Sequence, residues 1–162
     1  VEWKEKMNNK KEGHPRQIQF HNLYDILFIG SSIVFNIAVS GVYIASKFDN
    51  LVLLQVFGAM VVFLSIPFTI SLIGYIKDKA EKKTILSLLI ILVYLCLEIV
   101  LDYILKTPFR EILVVHIPYI IVFYAAAFSM IGVSFRINRK MGFIVLTTFW
   151  IVIGCLIYLY LG

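Results

Sequence analysis

Charge is scarce in this sequence. Asp, Glu, Lys and Arg make up 15% of its 162 residues, against 60% apolar residues and a mean hydropathy of +0.90. Soluble domains carry about 25% charged residues, so the composition excludes one and calls for lipid as solvent. Nearly all of the charge is confined to the first 22 residues and to short segments between long apolar runs, the pattern of bilayer spans alternating with wet turns. Cysteine is nearly absent as well. Cys96 and Cys155 stand alone within apolar runs, with no C-x-x-C and no metal spacing, and read as small hydrophobes.

Catalytic signatures are also lacking. There is no H-E-x-x-H, no G-x-S-x-G, no phosphate-cradling glycine loop and no run of spaced aspartates, so no catalytic residue is assigned and the balance falls against an enzyme. His14, His21 and His116 form no ligand set, because the first two precede the first apolar run and the third lies across the membrane from them. No metal and no cofactor is expected. The net charge of +5 does not point to nucleic acid, since the basic residues flank apolar runs and leave no room for a folded reader.

What remains is an all-α, polytopic chain. A helix crossing a hydrocarbon core of about 30 Å needs about 20 predominantly apolar residues. Five segments qualify, at about 23–48, 51–76, 84–105, 112–137 and 142–161. They lack the alternation of barrel strands. The first run is too long for a signal-peptide core and is read as a retained span behind a basic, irregular leader, residues 1–22. Twelve Lys and Arg fall on the side of the leader, among them Lys77, Lys79, Arg136 and Arg139, and only Lys47, Lys106 and Arg110 on the other. The richer side is expected in the cytoplasm, near anionic headgroups, with the C-terminus outside and the cell membrane as the location.

Within the spans, Asn36 is expected to serve packing, Pro67 to kink the second helix beside Ser65 and Thr69, and Gly41 with Ala45 to admit a close neighbour. Trp150, Tyr158 and Tyr160 read as packing residues or interfacial anchors.

One constellation asks for more. Tyr94, Glu98 and Asp102 recur at intervals of four on the third span and share a helix face. Glu98 lies about 12 Å below the outer end of that span. An acidic residue at such a depth costs about 2.5 to 3.5 kcal/mol unless it finds protein, water or a proton. The short 106–111 connection predicts a tight hairpin in which Asp102 lies level with His116 and Tyr94 with Tyr124. Pro118 frees the carbonyl of Val114 beside His116, and Arg110 or Lys106 can fold back over Asp102.

The site expected from sequence is therefore Glu98, Asp102, His116, Tyr94, Tyr119, Tyr124 and Arg110, in the outer half of the membrane. The leading reading is a small transporter or ion-conducting protein that binds a proton or cation at Glu98, with a homo-oligomer enclosing the pathway. The alternatives are an accessory subunit of a larger membrane complex, in which Glu98 and Asp102 act as an interhelical clasp, and a lipid-modifying enzyme using a carboxylate as base.

Overall fold

The structure is a computed structural model that describes residues 23–105 and 113–161; the leader and the connection bearing Lys106 and Arg110 lie outside that range. All described elements are helical. They are α1 (Leu23–Lys47), α2 (Leu51–Phe63), α3 (Ser65–Lys77), α4 (Lys82–Glu98), a π-helical segment (Ile99–Ile104), α5 (Leu113–Ile137) and α6 (Arg139–Leu161). α2 and α3 together make one span, Leu51–Lys77, so five helices are long and apolar enough to cross a membrane. At 1.5 Å per residue, the 25 residues of α1 reach about 37 Å, which exceeds the hydrocarbon thickness.

The turns are set by short polar residues. After α1 the chain reverses through Asp49, whose φ of 50° lies in the left-handed region, and Asn50 then accepts the Leu53 amide at 3.1 Å to cap α2. Between α3 and α4 the same backbone state falls on Lys79. The turn from α5 to α6 is tighter than the run of polar residues suggests. Asn138 alone separates the helices; its side chain accepts the Lys140 amide at 2.8 Å, so Arg139 and Lys140 already belong to α6. A Cβ at Gly142 would lie 2.5 Å from the Phe135 ring, which explains why the close turn needs glycine.

The second span breaks at Leu64, three residues before Pro67. Proline has no N–H to offer the carbonyl four residues earlier. The Leu64 amide is shared between the carbonyls of Met60 and Val61, both at 3.2 Å, and the Thr69 hydroxyl returns a 2.7 Å bond to Ser65. The kink thus lies just ahead of the proline.

Consecutive spans pack side by side, and α1 closes the ring against α6 while also touching α5. The end of the bundle at Asn50 carries the last turns of α1 and α6; the end at Asn138 carries their starts. Buried side chains concentrate toward the Asn138 end, with Phe28, Phe68, Leu88, Ile91, Met130 and Val145 all fully enclosed. Phe28 sets its edge against Phe68 and Tyr75, and the Tyr75 hydroxyl donates to Asp25 at 2.7 Å. α2, by contrast, buries only Val61 and turns Leu51, Val52 and Phe63 outward, as a lipid-facing surface does. Trp150 is 64% exposed in the middle of α6, so it neither packs inside nor sits at a helix end. Lys47 lies over the Tyr158 ring at 5.4 Å, joining α1 to α6 at the Asn50 end.

Most polar residues inside the bundle are partnered, Ser134 Oγ being a buried exception among the described residues. Ser31, Ser32 and Ser40 each donate to the carbonyl one turn back on α1. Asn36, 2% exposed, instead crosses to α6, donating to Thr148 Oγ1 at 2.9 Å and to the Val145 carbonyl at 3.3 Å. Gly41 lets the Phe57 ring lie against the α1 backbone, where a Cβ would stand 2.7 Å from it. Asn36→Leu should therefore loosen the α1–α6 seam by about 1 kcal/mol, read as a lower unfolding temperature in detergent. An unchanged or raised midpoint would contradict that role.

Candidate functional site

Tyr94 and Glu98 are one turn apart on α4, and Tyr119 faces them from α5. The Tyr119 hydroxyl donates to Glu98 Oε2 at 2.6 Å, a short bond of the kind a carboxylate accepts. The Tyr94 hydroxyl stands 3.0 Å from the Tyr119 hydroxyl. With the single Tyr119 hydrogen committed to Glu98, Tyr94 is the donor in that second contact. A proton on Glu98 would allow the whole chain to reverse, so three side chains form a row along which hydrogen bonds can be repolarised. Glu98 is 7% exposed and Tyr94 is 2% exposed, well inside the bundle.

The backbone changes character at this point. Glu98 is the last α-helical residue of its span, and the π-helical turn begins at Ile99, with the Leu105 amide bonded to the Val100 carbonyl five residues back at 2.8 Å. Single π turns inside helices are often found at functional sites. The wider turn also shifts Asp102 from the position that regular α-helical spacing implies. Asp102 is half-buried within the π segment and does not line the cavity described next.

Glu98 forms part of the wall of a part-enclosed cavity of about 210 Å³ in the Asn50 half of the bundle. Every span contributes to it. α1 supplies Val39, Val42, Tyr43 and Ser46; α2 supplies Val61; α4 supplies Tyr94 and Glu98. From α5 come His116, Tyr119, Ile120, Phe123 and Tyr124, and from α6 Leu156, Leu159 and Tyr160. Ser46 and Tyr160 lie within a turn of the Asn50 ends of their helices, so the lining runs from mid-bundle to that end. Its floor is aromatic. The Phe35, Tyr94 and Phe123 rings meet there, with centroids 5.8 Å, 6.3 Å and 5.5 Å apart in the three pairs.

Of the residues expected from sequence, Tyr94, Glu98, His116, Tyr119 and Tyr124 line this one space. Asp102 stands apart from it, and Arg110 lies outside the described residues. The pairing within the group differs from the hairpin symmetry. Tyr94 meets Tyr119 rather than Tyr124, while Tyr124 turns toward α6 and sets its ring edge to Phe149 at 6.4 Å. A tyrosine places its hydroxyl about one helical turn from its own Cα, so matching backbone levels does not predict which hydroxyls touch. His116 stacks on Tyr119 with ring centroids 6.3 Å apart, and its Nδ1 is buried with no hydrogen-bond partner among the described residues.

Tyr43 and Ser46 were not singled out from sequence, and Tyr160, read there as a packing residue or anchor, also lines the cavity. Two stripes carry the walls to which they belong: Ser32, Asn36, Val39, Tyr43 and Ser46 on the inward face of α1, and Val145, Phe149, Val152, Leu156 and Leu159 on that of α6. Reading each span for its inward stripe, rather than for isolated polar residues, finds the remaining walls.

Compared with family models, with characterised proteins and with solved structures, the chain has no match.

Tyr119→Phe removes both hydroxyl contacts of the row. It should lower stability by about 1 to 2 kcal/mol, whereas Tyr124→Phe, at a hydroxyl that bonds nothing among the described residues, should change it by less than about 0.5 kcal/mol. Thermal unfolding of the two variants in the same detergent checks this; equal shifts would contradict the assignment of Tyr119 as the partner of Glu98.

Proposed function

We propose that the protein is a small membrane transporter that binds a proton or cation at Glu98, reached from the Asn50 end of the bundle. The observation that carries this reading is the position of Glu98. A carboxyl used only as an interhelical clasp is best enclosed in the tightly packed half, where its hydrogen bond is shielded on all sides. Glu98 instead stands on the wall of a cavity that His116 and five tyrosines also line. Intramembrane acids placed in this way serve proton relays, ion sites and substrate sites.

The packing below the cavity favours transport by alternating exposure over an open pore. Tyr94 and Phe123 close its floor with Phe35 packed against both, and fully buried side chains fill the half beyond. Passage then requires the aromatic floor to part, which is the two-state behaviour a carrier needs. All five spans of one chain wall the site, so a homo-oligomer is not required to form it.

The charge distribution supports placing the Asn138 end in the cytoplasm. Among the described residues that end carries Lys77, Lys79, Lys82, Lys83, Arg136, Arg139 and Lys140, against Lys47 at the Asn50 end. On this reading the cavity faces outward in the cell membrane, and the basic end lies against anionic headgroups.

A second reading draws on the same 2.6 Å bond. An accessory subunit of a larger membrane complex would use Tyr119 and Glu98 to lock α5 to α4 and would carry no flux. Glu98→Gln separates the two, because glutamine keeps the hydrogen bond but cannot ionise. In proteoliposomes followed with a trapped pH dye, flux dependent on the protein should fall at least tenfold in Glu98→Gln. Flux equal to that of the unaltered protein contradicts the transporter; absence of flux from both, with co-purification of a larger complex, favours the accessory subunit.

A further inference from the structure

The size, sign and hydrogen-bonding capacity of the cavity narrow what Glu98 holds. A space of about 210 Å³ exceeds the roughly 150 Å³ that admits a benzene molecule. A lone proton or a bare ion leaves most of it unused. A multivalent metal also lacks a ligand set, since among the described residues no three His, Cys, Asp or Glu come together. The lining described contains one carboxyl group and no Lys or Arg, so a phosphate or carboxylate ligand would meet Glu98 without any balancing charge.

The walls favour a particular cation. Tyr43, Tyr94, Tyr119, Tyr124 and Phe123 present aromatic rings, whose negative faces attract ammonium groups most strongly when water is excluded. Ile120, Leu156 and Leu159 supply the aliphatic remainder. His116 lines the same space and stacks on the Tyr119 ring. A carboxylate accepts several hydrogen bonds, so the N–H groups of an ammonium ligand can donate to Glu98. A quaternary ammonium has no N–H to give.

We propose that the cavity binds a primary or secondary ammonium carried on an apolar, ring-sized body of about ten non-hydrogen atoms. Its N–H groups donate to Glu98, and its body rests against the tyrosine and leucine walls. The inference deepens the reading of Glu98 as a cation site and rests on it.

Calorimetry on the full chain in phosphatidylcholine nanodiscs, whose lipids carry no N–H, tests the proposal with four probes of similar bulk. 2-Phenylethylammonium should bind once per chain and at least tenfold more tightly than 2-phenylethanol, which keeps the body and loses the charge. 3-Phenylpropanoate should give no binding heat. Phenyltrimethylammonium should bind several-fold more weakly than the primary amine, because it has no N–H to donate to Glu98. Glu98→Gln should abolish the preference for amine over alcohol.

The comparison of probes on the unaltered protein needs no variant, so a failure of Glu98→Gln to fold leaves the test intact. Equal affinity for alcohol and amine, or binding of the carboxylate, overturns the proposal. Absence of amine binding alongside Glu98-dependent proton flux overturns the ligand class alone, whereas absence of both overturns the cation site beneath it.

Discussion

A carboxyl group surrounded by hydrocarbon has to be met by a donor, a proton or a wet surrounding, and the arrangement of α4 against α5 is organised around that need at Glu98. Tyr119 supplies a donor at 2.6 Å, and Tyr94 backs it at 3.0 Å, so the acid is tied to both helices of one hairpin. The π turn that follows Glu98 belongs to the same arrangement. Asp102 lies within that turn and is absent from the cavity wall, so Glu98 is the one carboxyl of the lining described.

The rest of the bundle divides its labour along the membrane normal. Toward the Asn138 end, large apolar side chains close-pack with almost no exposure, and short polar ties such as Tyr75 to Asp25 hold the span ends together. Midway, Asn36 reaches α6 and fixes the seam where the ring of helices closes. Toward the Asn50 end the packing gives way to the cavity. A tight half holds the walls of a loose half in register, as a binding site needs when its own interior contributes little packing.

Much of this was legible in the sequence, and the remainder failed for identifiable reasons. Hydropathy marks five helices because a bilayer demands uninterrupted apolar runs, and a single Glu within one of them stands out against that background. The break near Pro67 was equally readable, since the missing N–H is a covalent fact. The partner of Tyr94 was not, because side-chain reach along the helix axis exceeds the one-turn spacing used to match levels. Nor was the π turn, which shares its composition with any α-helix and moves Asp102 off the expected face. The contributions of α1 and α6 to the site were encoded only as stripes of ordinary Val, Leu, Ser and Tyr, a pattern that becomes a wall once the ring of spans is known.

The central claim is that the side chain at position 98 projects into a space reached from one end of the bundle. Replacing Cys96 and Cys155 with alanine and Glu98 with cysteine gives a chain with a single thiol, which can be challenged in oriented vesicles with a small, membrane-impermeant, cationic thiosulfonate. The account predicts modification from the side of the Asn50 end and none from the side of the Asn138 end. Modification from neither side, or from both alike, would contradict it.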